Sequence, residues 1–223
     1  MAEQERSLRL RVGGVRLDAD LSVPPAATAV VAFAHGTGSS RFSPRNRQVA
    51  AGLRAAGYAT LLMDLLTPDE EAQDARSHEL RFDIPRLATR LADTVDWLAD
   101  EPATTALPVA LFGASTGAAA ALVAATHRPD RVRTVVSRGG RPDLAGDALR
   151  LVRAPTLLVV GGDDGLVLEL NEEAASRMVA APVELAVVEG ATHLFEEPGT
   201  LDEVLVHAVR WLGRWVGGTG GPG

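Results

Sequence analysis

Cysteine is absent from the 223-residue chain, which excludes disulfides, thiolate nucleophiles and cysteine-ligated zinc. Lysine is absent as well. All 22 basic residues are arginine, so mechanisms that need a lysine amine are excluded. Positive charge is outweighed, with a formal net charge of −7 and no basic tail or helix. That removes the electrostatic footprint nucleic-acid binding requires. Long apolar runs are missing too: stretches such as Ala118–Ala125 fall well short of the ~20 residues of a membrane span. The N-terminal stretch Met1–Arg11 is charged and lacks an apolar core, unlike a signal peptide. Five scattered histidines without cysteine make a poor metal site, and no metal or organic cofactor is expected. A soluble cytoplasmic protein, monomeric or homodimeric, with neither nucleic-acid nor membrane partner is the expectation.

What is present is a globular composition, 46% hydrophobic and 23% charged. Ser7–Val12 and Val15–Val23 alternate polar and apolar residues around Gly13-Gly14, a hairpin signal. Continuous apolar runs follow at Ala29–Ala34, Ala59–Met63, Val109–Phe112, Val132–Val136, Thr156–Val160 and Val183–Val188, as for strands covered on both faces. Helix-length segments lie between them at Pro44–Ala56, Ile84–Ala99, Thr116–His127 and Glu169–Val179, and Leu201–Val216 closes the pattern. This alternation predicts an α/β fold: a mainly parallel twisted sheet with an N-terminal antiparallel hairpin and helices on both faces. One domain spans 1–216, and the glycine-rich 217–223 (GGTGGPG) reads as a flexible tail.

In such a sheet, ligands bind beyond the carboxyl ends of the strands, so the residues after each apolar run carry the chemistry. Gly113-Ala114-Ser115-Thr116-Gly117 follows one run and opens an alanine-rich helix. This is the G-x-S-x-G nucleophile elbow in the strand–turn–helix setting it requires. Gly161-Gly162-Asp163-Asp164 follows another; either aspartate can serve as a triad acid, and either can cap the next helix. His193 stands in the loop after the last run, within reach of Ser115 as a general base. The chain order Ser…Asp…His is that of serine hydrolases built on open parallel sheets. After Ala29–Ala34 comes His35-Gly36-Thr37-Gly38, where backbone N–H groups can face an oxyanion. The amides of Thr37 and Thr116 are the expected oxyanion hole, and His35 reads as a loop-holding residue.

The connection 137–155 is too short for an inserted helical lid domain, and Pro68-Asp69-Glu70-Glu71 within 67–82 reads as a solvated loop. The site is therefore expected to be open and suited to small esters. Arg41, Arg45, Arg138 and Arg141 follow strand ends on the same side. They can hold an anionic group of a substrate, Arg41 and Arg138 foremost, or salt-bridge the protein's own carboxylates.

The elbow, Gly161–Val167, Ala191-Thr192-His193 and His35–Gly38 together resemble the dienelactone hydrolase branch of the α/β-hydrolases, over about Ser7 to Val216. The spacing G-x-x-D-x-x-V selects Asp164 by this resemblance. Ser39–Asn46 (SSRFSPRN) and Ser137–Pro142 (SRGGRP) resemble a bacterial subgroup whose members occur alone or fused to a phosphoribosyltransferase domain. No phosphoribosyltransferase signature is found here. Dienelactone hydrolase proper uses a cysteine nucleophile, whereas this elbow holds Ser115, so the lactone of the namesake is not carried over. The resemblance implies a small serine esterase-like hydrolase for ester or lactone substrates, with Ser115, His193 and Asp164 as its triad. The alternatives are an acyltransferase on the same triad, or a non-catalytic module that has kept the fold.

Overall fold

In the computed structural model, residues 4–216 are described, and the glycine-rich segment 217–223 lies outside them. Eight strands form one sheet in the order β1-β2-β4-β3-β5-β6-β7-β8. The first two, β1 (Gln4–Val12) and β2 (Val15–Val23), pair as an antiparallel hairpin, and β2 is also antiparallel to β4 (Ala59–Met63). From there β3 (Val30–Ala34), β5 (Val109–Ala114), β6 (Val132–Arg138), β7 (Thr156–Gly161) and β8 (Val183–Val188) run parallel.

The central strands are apolar throughout because both faces are covered. In β3 the side-chain alternation divides Val30, Ala32 and Ala34 from Val31 and Phe33, and the two sets enter different cores. The first core packs α3 (Ile84–Asp100), α4 (Thr116–His127) and α5 (Gly165–Arg177) against the sheet. The second packs α1 (Pro44–Ala55) and α6 (Thr200–Trp215), with Phe33 stacked on Phe112 at 4.8 Å between ring centroids. Helix α4 is alanine-rich, so it can sit close to the sheet it covers.

Two connections differ from the sequence reading. The segment expected to be a solvated loop is helix α2 (Pro68–Ser77), followed by a 3₁₀ turn at Leu80–Phe82. Its polar sequence has no apolar stripe, and its ends hold it instead. The Thr67 hydroxyl accepts from the Glu70 N–H at 3.3 Å, and the Glu70 carboxylate accepts from the Thr67 N–H at 2.8 Å. This is a reciprocal capping box. Helix α5 starts at Gly165 rather than Glu169, with Asp164 at its N-cap. The β6–β7 connection contains only 3₁₀ turns over Pro142–Leu151, and no lid domain is inserted there.

Candidate active site

Ser115 stands between β5 and α4 with φ 50° and ψ −122°, a strained backbone for a residue with a Cβ. The glycines on either side make the turn possible by close approach. A Cβ on Gly113 would lie 2.4 Å from the Ala118 Cα, and one on Gly117 would lie 2.2 Å from the Ala34 carbonyl oxygen. The strain is held by neighbouring backbone: the Ser115 N–H donates to the Arg138 carbonyl at 3.2 Å, and the Arg141 N–H donates to the Ser115 carbonyl at 3.0 Å.

His193 Nε2 lies 3.3 Å from Ser115 Oγ, and its Nδ1 lies 2.7 Å from Asp164 Oδ2. With Nδ1–H donating to the carboxylate, Nε2 is left as the acceptor facing the hydroxyl. Asp164 occupies the N-cap of α5, yet its side chain makes no capping bond and serves His193 instead. Asp163 is exposed. Of these two neighbours, Asp164 is the one hydrogen-bonded to His193. The histidine loop is tied by Glu197, which accepts from the Thr192 N–H at 3.1 Å and the Thr192 hydroxyl at 2.6 Å. Sequence reasoning did not find Glu197, because a glutamate four residues beyond a histidine carries no motif.

The loop after β3 passes directly over the nucleophile: a Cβ on Gly36 would be 2.9 Å from the Ser115 Cβ. Thr37 and Thr116 are linked through their hydroxyls at 3.0 Å, which fixes the loop to the start of α4. Thr116 is the first residue of α4, where the N–H has no intrahelical acceptor and the helix dipole favours negative charge. His35 is buried and held on both nitrogens: Nδ1–H donates to the Gly36 carbonyl at 3.0 Å, and Nε2 accepts from the Leu65 N–H at 3.1 Å. Burial lowers its pKa, consistent with a neutral ring bracing the loop.

Comparison with known proteins then decides the family. The family model described as the dienelactone hydrolase family matches residues 17–208. This chain belongs to the dienelactone hydrolase family. A dienelactone hydrolase crystal structure from Anabaena variabilis superposes with a TM-score of 0.94 at 52% identity, covering 97% of this chain and 100% of that one. The Pyrococcus furiosus esterase PF2001 is similar at a TM-score of 0.77 and 17% identity, over 96% and 92% of the two chains, a likeness of fold. A putative phosphoribosyl transferase of Mycobacterium tuberculosis is 54% identical over 209 residues, which are 94% of this chain but 46% of the relative. The chain thus spans about half the length of that relative. The fold is that of an α/β-hydrolase, and the family is one of hydrolases.

Within this family member, two cavities share Gly36, Thr37, Ser39 and Ser43. The larger, of 460 Å³, runs from Thr37 and Thr116 under α2, where Leu65, Leu66 and Leu87 meet Glu71, Asp74 and Arg81. The smaller, of 190 Å³, holds Ser115 and His193 with Arg45, Asn46 and Arg138. Helix α2 therefore borders the larger cavity, beside the one that holds Ser115 and His193. The arginines separate. Arg41 lines neither cavity: it forms a short ion pair with Asp64 and lies 3.9 Å and 3.7 Å from Asp18 and Asp20. The structure thus places Arg41, a substrate-binding candidate in the sequence, against three carboxylates and outside both cavities. Arg141 is likewise paired, with Asp143 at 2.7 Å. Arg138 is buried in the smaller cavity. No helix is long and apolar enough to cross a membrane among the described residues, and no group of residues there could hold a metal ion.

Proposed function

We propose that the protein is a serine hydrolase of small esters or lactones, acting through Ser115, His193 and Asp164. The observation that carries this is the unbroken chain from Ser115 Oγ to His193 Nε2 and from His193 Nδ1 to Asp164, at the end of a strained elbow. His193 takes the hydroxyl proton as Ser115 Oγ bonds to the ester carbonyl carbon, and the carbonyl π electrons move onto oxygen. The Thr37 and Thr116 amides hold that oxyanion; loss of one such donor typically costs about 100- to 1,000-fold in kcat. Collapse breaks the bond to the alcohol, which leaves with the proton returned by His193. A water then loses its proton to His193, attacks the acyl-enzyme and releases the acid, and Ser115 regains its proton.

The cavity that holds Ser115 and His193 is the smaller one, and the larger adjoins it along Gly36, Thr37, Ser39 and Ser43, which favours a small substrate. The test is steady-state kinetics on p-nitrophenyl esters and simple lactones with Ser115→Ala and His193→Ala alongside the wild type. Turnover that vanishes in both variants supports the reading; turnover that survives Ser115→Ala contradicts it. Added alcohols or amines diverting the product to a new ester or amide would mark an acyltransferase instead.

A further inference from the structure

The smaller cavity contains a cation without a counter-ion. Arg138 ends β6, and its carbonyl accepts from the Ser115 N–H, so its side chain starts beside the nucleophile. That side chain is 8% exposed, its Nη1 has no hydrogen-bond partner, and among the described residues no carboxylate pairs with it. Its charged neighbour is a second arginine, Arg45. Arg45 gives one nitrogen to Glu196 at 2.8 Å on the solvent side, while its Nε is buried and unpartnered. The cavity lining includes no aspartate or glutamate, in a chain whose net charge is −7.

Other partly buried arginines have carboxylate partners. Arg81 is paired with Asp74, Arg90 with Glu70, Arg128 with Asp96 and Arg141 with Asp143. A buried guanidinium left unpaired next to another cation is unfavourable, and the fold gives it no intramolecular relief. Burial first, and Arg45 second, push its pKa down to about 10, which still leaves it charged at neutral pH. The larger cavity differs, with the apolar walls of Leu65, Leu66 and Leu87, the Glu71 carboxylate, and Asp74 already paired with Arg81.

We infer that the smaller cavity is an oxyanion subsite in which Arg138 and Arg45 bind a carboxylate or phosphate borne by the substrate, while its uncharged, apolar half lies under α2. The inference rests on the serine-hydrolase reading above and adds the charge and the orientation of the substrate. A guanidinium fork suits either anion, planar or tetrahedral, and the 190 Å³ volume limits the linker between that group and the scissile carbonyl to a short chain.

The test compares kcat/KM for three p-nitrophenyl esters of matched length: pentanoate, hydrogen glutarate, and 4-phosphonobutanoate. Wild type is expected to favour at least one anionic ester over the neutral one by about 10- to 100-fold, the range for a charge-assisted hydrogen bond. In Arg138→Met that ratio falls at least tenfold, and the carboxylate and phosphonate arms tell which anion is meant. A second measurement stands without the variant: glutarate inhibits neutral-ester turnover by wild type competitively, and added salt weakens it. Wild type without an anionic preference, inhibition that is absent, or a ratio unchanged in folded Arg138→Met overturns the subsite. Fluorophosphonate labelling of Ser115 separates the failures. Labelling with no anionic preference removes only the subsite, whereas no labelling and no ester turnover removes both readings.

Discussion

Arg90 and Arg138 are buried to similar depths, at 3% and 8% exposure, and the fold treats them in opposite ways. Arg90 reaches from α3 to Glu70 with two nitrogens at 2.8 and 2.7 Å and to the Leu65 carbonyl at 2.6 Å. Both terminal nitrogens meet acceptors, although Nε has none, and the carboxylate contact pins helix α2. Arg138 meets none. The difference teaches that burial alone does not identify a structural charge; its partners do. Asp163 and Asp164 divide similarly at the next strand end, one exposed and one locked onto His193.

The largest expected effect lies in the aspartate pair. Asp164→Asn should lower kcat by about 10⁴-fold, as expected when the histidine loses its orienting carboxylate. Asp163→Asn should leave kcat within about threefold, since exposed substitutions away from such contacts change little. Comparable losses from both would erase the distinction.

Stability should separate the arginines next. Arg90→Met is expected to destabilise by about 3 kcal/mol, the low end for breaking a buried pair, because Glu70 keeps Arg86 and the Thr67 N–H. At roughly 2–4 °C per kcal/mol for a chain of this size, the Tm drops by about 6–12 °C. Arg138→Met should keep or raise the Tm, since it removes an unpaired buried charge and substitutes apolar volume. Calorimetry of the two variants side by side checks both, and equal losses would mean that Arg138 is structural after all.

The smallest effect concerns acid. Glu70 has its pKa lowered from 4.5 to about 2: burial raises it, and this is outweighed by the hydrogen bonds and charge of Arg90 together with bonds from Thr67. A carboxylate with a depressed folded pKa stabilises fully above its unfolded value, and that stability is lost as pH falls toward about 2. Glu70→Gln should therefore flatten the decline in denaturation free energy from about pH 4.5 to about pH 2. An unchanged slope would show that the Glu70–Arg90 contact contributes nothing.

These contrasts also mark what the sequence could and could not say. Strands β3 and β5 were legible because burial on both faces makes them continuous apolar runs, and the elbow was legible because its glycines answer to close backbone approach. Helix α2 was not, because its stability comes from a cap and from Arg90, twenty residues away, rather than from an apolar period. Thr67-Pro68-Asp69-Glu70 did contain the capping-box signature that could have revealed it. Asp164 was separated from Asp163 in the sequence only by family resemblance, and the bond to His193 now separates them physically. The allotment of arginines was illegible for a related reason: Arg41 finds Asp18, Asp20 and Asp64 through the pairing of β2 with β4, which is a tertiary fact.

The central claim is that one serine is activated at the carboxyl edge of this sheet. It is tested most directly by treating the folded protein with a fluorophosphonate and mapping the adduct by peptide mass spectrometry. A single adduct on Ser115, strongly reduced in His193→Ala, is the predicted result. A folded wild type that remains unlabelled, or an adduct on another residue, would contradict it.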